Sequence, residues 1–207
     1  HPFTPKVAPD PAKTASDVSI LTGLFHLIGF DSNEPNPDGV VSLTQLSKSR
    51  FNLTYDLANE DSFGGSISSF DNFLTGGKEK KNLSGLGSFI LGLKDTGSPE
   101  VTLQLEDATG ARDQVILTGV DGTERFWMVN LSLFDDVDLS QITAIVVLLE
   151  EDRLSDKTSV LEVRFGNHPF TPTLSFDASK NAADISIFTD IKHLVSFDSN
   201  APDPDGV

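Results

Sequence analysis

Cysteine is absent from the 207 residues, and Met, Trp and Tyr occur once each. The absence of cysteine removes disulfides, thiolate zinc sites and cysteine nucleophiles together. Basic residues are scarce: 15 Lys and Arg face 31 Asp and Glu, for a net charge of −16. Nucleic acid and anionic membrane surfaces repel so acidic a chain, and neither is an expected partner. Ile145–Leu149 with its flanks is the longest apolar run. It falls far short of the ~18 residues of a membrane span, so no membrane insertion is expected. His1-Pro-Phe-Thr-Pro5 lacks the charge and apolar pattern of a signal peptide. No sustained helical stripe is present. P-loop, dinucleotide and nucleophile-elbow motifs are missing as well. Four His are too sparse for a zinc triad within one domain. The adjacent acids Asp135-Asp136 and Glu150-Glu151 point apart on a strand or turn. No catalysis is expected.

What is present is core material and a repeat. Hydrophobic residues make up 38% of the chain, with 15 Phe among them. Residues 1–40 match residues 168–207 at 23 positions without a gap, at a single offset of 167 residues. The matches include His1-Pro-Phe-Thr-Pro5 with His168-Pro-Phe-Thr-Pro172, and Phe30-Asp-Ser-Asn33 with Phe197-Asp-Ser-Asn200. A solenoid unit runs only about 20–50 residues, whereas this period has the size of a domain. Residues 1–16, with Pro at 2, 5, 9 and 11, read as an extended linker. Residues 17–167 read as a repeat unit, 168–183 as a copy of the linker, and 184–207 as the first-strand segment of a following repeat.

Period-two alternation predicts strands. It is clear at Phe51, Leu53, Tyr55 and Leu57, at Phe89, Leu91 and Leu93, at Val101, Leu103 and Leu105, and at Leu161, Val163 and Phe165. Phe25–Phe30, Val115–Leu117, Phe126–Leu131 and Ile145–Leu149 are further candidates. Turn signals fall between them, at Gly64-Gly65, Gly76-Gly77, Gly97-Ser-Pro99, Gly110 and Asp121-Gly122. Asp138 is placed to cap one short helical turn. Short strands with frequent turns make an all-β fold, an antiparallel β-sandwich with a closed barrel as the alternative.

Two binding chemistries suggest themselves. Asp31, Asn33, Asn36 and Asp38 crowd hard oxygens onto a loop with Gly39, as calcium requires; the copy offers Asp198, Asn200, Asp203 and Asp205. The same residues also make an ordinary solvated Asx/Pro turn. A glycan site needs exposed aromatics and fixed polar groups. Trp127 and Tyr55 alternate in phase with inward residues and are expected in the core. The Phe-rich stretch from Phe63 to Phe73 is the place where a groove could be lined. Asn52, Asn82 and Asn130 begin sequons, which matter only in a glycosylating host.

The order of short motifs carries a resemblance. Phe51-Asn-Leu-Thr-Tyr-Asp56, Gly64-Gly65, Leu83-Ser-Gly-Leu-Gly-Ser-Phe-Ile-Leu91, Val101-Thr-Leu-Gln-Leu-Glu-Asp107, Leu131-Ser-Leu-Phe134 and Leu161-Glu-Val-Arg-Phe165 follow one another. Over roughly residues 20–166 this resembles the galactose-binding-like jelly-roll sandwiches, which include several carbohydrate-binding module families. The resemblance implies a non-catalytic antiparallel jelly-roll β-sandwich. It also implies a structural calcium ion shared by Asp31 and Glu162, although the family usually carries Asp where Glu162 stands.

Function is expected in one of two forms. The first is a structural repeat of a large extracellular, cell-surface or filament-forming protein, with other copies of the repeat as partners and calcium as a brace. In that form Ile185, Ile187, Ile191, Leu194 and Phe197 would donate a strand head to tail to a neighbouring molecule. The alternative is a carbohydrate-binding module with a glycan as its partner.

Overall fold

Alternating residues pull the chain into two layers. The computed structural model describes residues 4–32 and 40–172, which belong to one compact unit. Its strands are β1 (Lys6–Val7), β2 (His26–Asp31), β3 (Val40–Ser47), β4 (Arg50–Asp56), β5 (Phe63–Ser69), β6 (Ser88–Lys94), β7 (Glu100–Asp107), β8 (Arg112–Thr118), β9 (Arg125–Asn130), β10 (Ile142–Glu150) and β11 (Thr158–Arg164). They form a six-stranded sheet, β1-β8-β7-β10-β5-β2, and a five-stranded sheet, β3-β4-β11-β6-β9. The named pairs are antiparallel except β1 with β8. The fold is an antiparallel β-sandwich, as the strand and turn pattern predicts, and not the closed barrel.

The inward residues meet between the sheets. Phe51, Leu53, Leu91, Leu93, Val115, Trp127, Val129, Val147, Leu149 and Leu161 are fully buried. Each such side chain contributes about 1.5–3 kcal/mol by leaving water. The aromatics with polar ends find partners, as burial demands. Trp127 Nε1 donates to the Thr118 carbonyl at 3.1 Å. Tyr55 Oη donates to Asp95 Oδ2 at 2.8 Å. Asp95, 3% exposed, also accepts from Ser98 Oγ, Ser159 Oγ and the Gly97 N–H. Burial, and then the adjacent Asp95 charge, push the Tyr55 hydroxyl above its ordinary pKa. Asp138 caps the turn Leu139–Gln141, its carboxylate accepting the Ser140 N–H.

The structure corrects three sequence expectations. Gly64-Gly65 is not a turn but lies inside β5, between β10 and β2. A Cβ at Gly64 would strike the Val41 side chain, and one at Gly65 the Val147 carbonyl oxygen, so glycine admits the neighbouring chains. β3 was not foreseen; its short alternation breaks at a register shift between Gln45 and Ser47 on an edge strand. The third correction concerns the linkers.

Residues 4–16 hold the short strand β1, a turn at 11–12 and the start of a 3-10 turn, Ala15–Asp17, and they are bound to the sandwich. Ile116 N–H donates to the Pro5 carbonyl, Lys6-Val7 pairs with β8, and Asp10 N–H donates to the Phe126 carbonyl of β9. Further on, Ser19 N–H donates to the Ile90 carbonyl, and Ile90 N–H donates back to Ser19 Oγ. The reason is edge closure. β8 and β9 would otherwise end their sheets with open backbone groups, and a proline-rich segment offers carbonyl acceptors without demanding donors of its own.

At the other end, His168 belongs to the sandwich and not to a linker. It is 1% exposed. Its N–H donates to the Lys48 carbonyl at 2.8 Å. Its ring sits edge-on to Phe51 and Phe165. Nδ1 lies 3.1 Å from the Lys48 carbonyl and Nε2 2.9 Å from Ser68 Oγ. A neutral ring fits both contacts, Nδ1–H donating and Nε2 accepting, and burial lowers the His168 pKa accordingly. Gly166, at φ +76°, makes the turn that tucks the ring in; a Cβ there would stand 2.7 Å from it.

Candidate ligand-binding face

The register of the six-stranded sheet sorts its outward side chains into rows. One row runs Phe30, Gly65, Leu148, Thr102, Ile116 across β2, β5, β10, β7 and β8. The next runs Ile28, Ile67, Val146, Gln104, Gln114, and the third His26, Ser69, Ala144, Glu106, Arg112. The half nearest β2 is therefore largely apolar, while the half on β7 and β8 carries amides and charges. Phe63 leads the apolar half on β5, 44% exposed, and Ile28 is 39% exposed. Together these residues line an open groove of about 490 Å³, with Phe30, Phe63, Ile67, Val146 and Leu148 on one side and Gln104, Glu106 and Arg112 on the other.

Acids and bases at the rim are matched in pairs. Arg112 Nε lies 3.0 Å from Glu106, and Arg153 Nε 2.8 Å from Glu150. Glu100 meets Lys6 at 2.6 Å and Arg153 at 3.4 Å. Lys157 meets Glu151 at 2.6 Å. Thr102 Oγ donates to Glu150 at 2.8 Å. The hydrogen bond from Lys6, and then the charge of Arg153, hold the Glu100 carboxyl below its ordinary pKa. At the far end of β2, His26 stacks parallel to Phe73, with ring centroids 4.6 Å apart.

The Phe-rich stretch divides its work. Phe63 lines the groove, Phe70 is core at 2% exposed, and Phe73 is 56% exposed over His26. Trp127 and Tyr55 are buried, as their alternation predicts. Sequence reading missed Phe30, Val146, Leu148 and Gln104 as a group. Each sits on a strand that the sequence predicts, but only the register shows that their outward sides meet.

The residues expected to hold calcium are not assembled among the described residues. Asp31 Oδ2 accepts the Val41 N–H at 2.9 Å. Glu162 lies on the five-stranded sheet, bound to Lys94 at 2.7 Å and Arg50 at 3.4 Å. Val41 stands two strands and three residues away from Glu162, on the order of 14 Å by strand spacing. The pair implied by resemblance is therefore not brought together, and Glu162 already serves two cations. Asn33, Asn36, Asp38, Asp198, Asn200, Asp203 and Asp205 lie outside the described residues, as do Ile185, Ile187, Ile191, Leu194 and Phe197.

One acidic trio is close-set elsewhere: Asp113, Asp135 and Asp136 bring carboxylate oxygens within 4.8 Å of one another. Asp113 already accepts from the Gln114 and Asp136 N–H groups, one through each oxygen. The trio thus falls short of the six to eight oxygens that calcium takes.

No protein-family model and no curated protein matches this sequence. Similar folds occur among solved structures. A family 30 carbohydrate-binding module has a TM-score of 0.42 at 11% identity, over 71% of this chain and 84% of its own. An exo-β-agarase has a TM-score of 0.43 at 11% identity, over 74% of this chain and 24% of its own. A further agarase has a TM-score of 0.44 at 11% identity, over 75% and 26%. The chain thus spans about a quarter of each agarase.

Proposed function

We propose that the chain is a non-catalytic carbohydrate-binding module that holds a glycan against the outward face of its six-stranded sheet. The observation that carries this reading is the groove in which Phe30, Phe63 and Val146 stand beside Gln104 and Glu106 on adjoining strands. A sugar ring has an apolar C–H face and a rim of hydroxyls. The apolar half of the sheet suits the first, and the amides and carboxylates suit the second. Glu106 and Glu150 flank the groove, each ion-paired with an arginine. An extracellular or cell-surface location accompanies this reading. The assembly reading rests on residues 184–207, outside the described residues, and draws no support from the groove.

The test is retardation of the full chain in native gels containing neutral polysaccharides: hydroxyethyl cellulose, agarose, galactomannan and pectic galactan. Retardation in at least one, abolished by Phe63→Ala and by Gln104→Ala at unchanged Tm, is the expected result. Unretarded migration across the panel, or retardation indifferent to both substitutions, would overturn the reading.

A further inference from the structure

We infer that this face selects uncharged glycans and turns away uronated or sulfated ones. The inference rests on the glycan-binding reading and adds the ligand's charge to it. An anionic sugar is recognised by cations free to pair with it. Here the cations at the face are already engaged. Lys6 and Arg153 hold Glu100, Arg153 also holds Glu150, Arg112 holds Glu106, and Lys157 holds Glu151. These four carboxylates are partly buried, with side chains 19–30% exposed, so solvent screens them less than it would free surface charges. Asp61 and Asp152 add two more acids to the groove lining.

A hydroxyl-bearing ring finds what it needs in this setting. Its O–H groups donate to carboxylate oxygens, and the Gln104 amide both donates and accepts. A carboxylate or sulfate on the ring meets arginines whose charge a glutamate already balances. It shares each arginine with a glutamate and faces that glutamate's negative charge at close range. Through the whole protein, a net charge of −16 opposes its approach as well.

The experiment pairs polymers that differ mainly in charge: hydroxyethyl cellulose with carboxymethyl cellulose, agarose with κ-carrageenan, and pectic galactan with polygalacturonate. Binding of the full chain is measured by affinity electrophoresis and calorimetry in EDTA, so that calcium cannot bridge acid to acid, at 50 and at 500 mM NaCl. The neutral member of at least one pair should bind, with its anionic partner at least about tenfold weaker at 50 mM and the gap narrowing at 500 mM. Asp152 is exposed on the rim. Asp152→Lys should strengthen anionic binding several-fold relative to neutral binding. Equal or tighter binding of an anionic partner at 50 mM NaCl overturns the charge selection and leaves glycan binding standing. Failure of both members of every pair overturns both.

Discussion

The two outward faces of the sandwich are built from strands of similar length, yet their centres differ. On the five-stranded sheet Glu162 sits between Lys94 and Arg50, and Arg164 pairs with Glu124 at 2.7 Å. On the six-stranded sheet the centre is Ile67, Val146 and Leu148, edged by Gln104, and the ion pairs stand at the rim. A sheet face that meets only water needs no apolar centre. Ion pairs there cost little and contribute little. On the six-stranded sheet the buried Val146 and the partly exposed Ile67 and Leu148 join the exposed Ile28 and Phe63 in one apolar patch, and such a patch between polar residues is the mark of a surface that meets something other than water. Met128 and Val160 are exposed on the first face as well, Met128 opposite Ile90 and Val160 two residues from Glu162, at the sides of its charged centre.

The comparison breaks most completely when the shared core goes. Phe51 is fully buried and packs edge-on against Phe165 and His168. Phe51→Ala should cost about 3–5 kcal/mol in urea unfolding, and both faces should lose structure in one transition. A transition confined to one sheet would contradict a single common core.

Next in size is a separation of binding from stability. Phe63→Ala should weaken glycan binding at least about tenfold, or roughly 1.4 kcal/mol, with little change in Tm because the ring is half-exposed. Glu162→Gln on the opposite face should leave binding alone. Calorimetry on both variants checks this, and a binding loss in Glu162→Gln would erase the distinction between the faces.

A pH effect should follow from His168. Burial lowers its folded pKa below the unfolded value, so the unfolded chain takes up the proton first. The stability due to the neutral ring is present above the unfolded pKa of about 6.5. It is lost as pH falls through that value toward the lowered folded one. Urea midpoints should drop on acidification across this range, and His168→Gln should flatten that part of the profile. A midpoint that rises toward acid in the parent chain would refute the buried neutral ring.

The smallest effect is the ion-pair network itself. Glu162→Gln should change stability by about 0.2–1 kcal/mol, shrinking further in high salt, since its partners are more than a third exposed.

How much of this was legible beforehand follows from the range of each signal. β4 could be read from Phe51, Leu53 and Tyr55 because a buried strand repeats every two residues, and no distant residue is needed to see it. β5 could not. Phe63-Gly-Gly-Ser-Ile-Ser-Ser69 has glycines and serines where a strand pattern expects bulk, and the reason is the closeness of Val41 and Val147, far away in sequence. Phe63 stood out as one of a run of phenylalanines. Its partners Val146 and Gln104 lie on strands 40 or more residues away and became neighbours only through register. The surroundings of Glu162 were hidden for the same reason: nothing local reveals that Lys94 and Arg50 meet it.

By itself the sequence determined the all-β class, the inward set of each alternating strand, the burial of Trp127 and Tyr55, and the aspartate cap at 138. All of these follow from side-chain period, polarity and short-range hydrogen bonding. Tertiary structure alone decided that Pro5–Asp10 closes the two sheet edges, that His168 completes the core, and that one outward face is left with an apolar centre. Those outcomes depend on which backbones lie side by side, and strand pairing joins residues across separations that local patterns do not span.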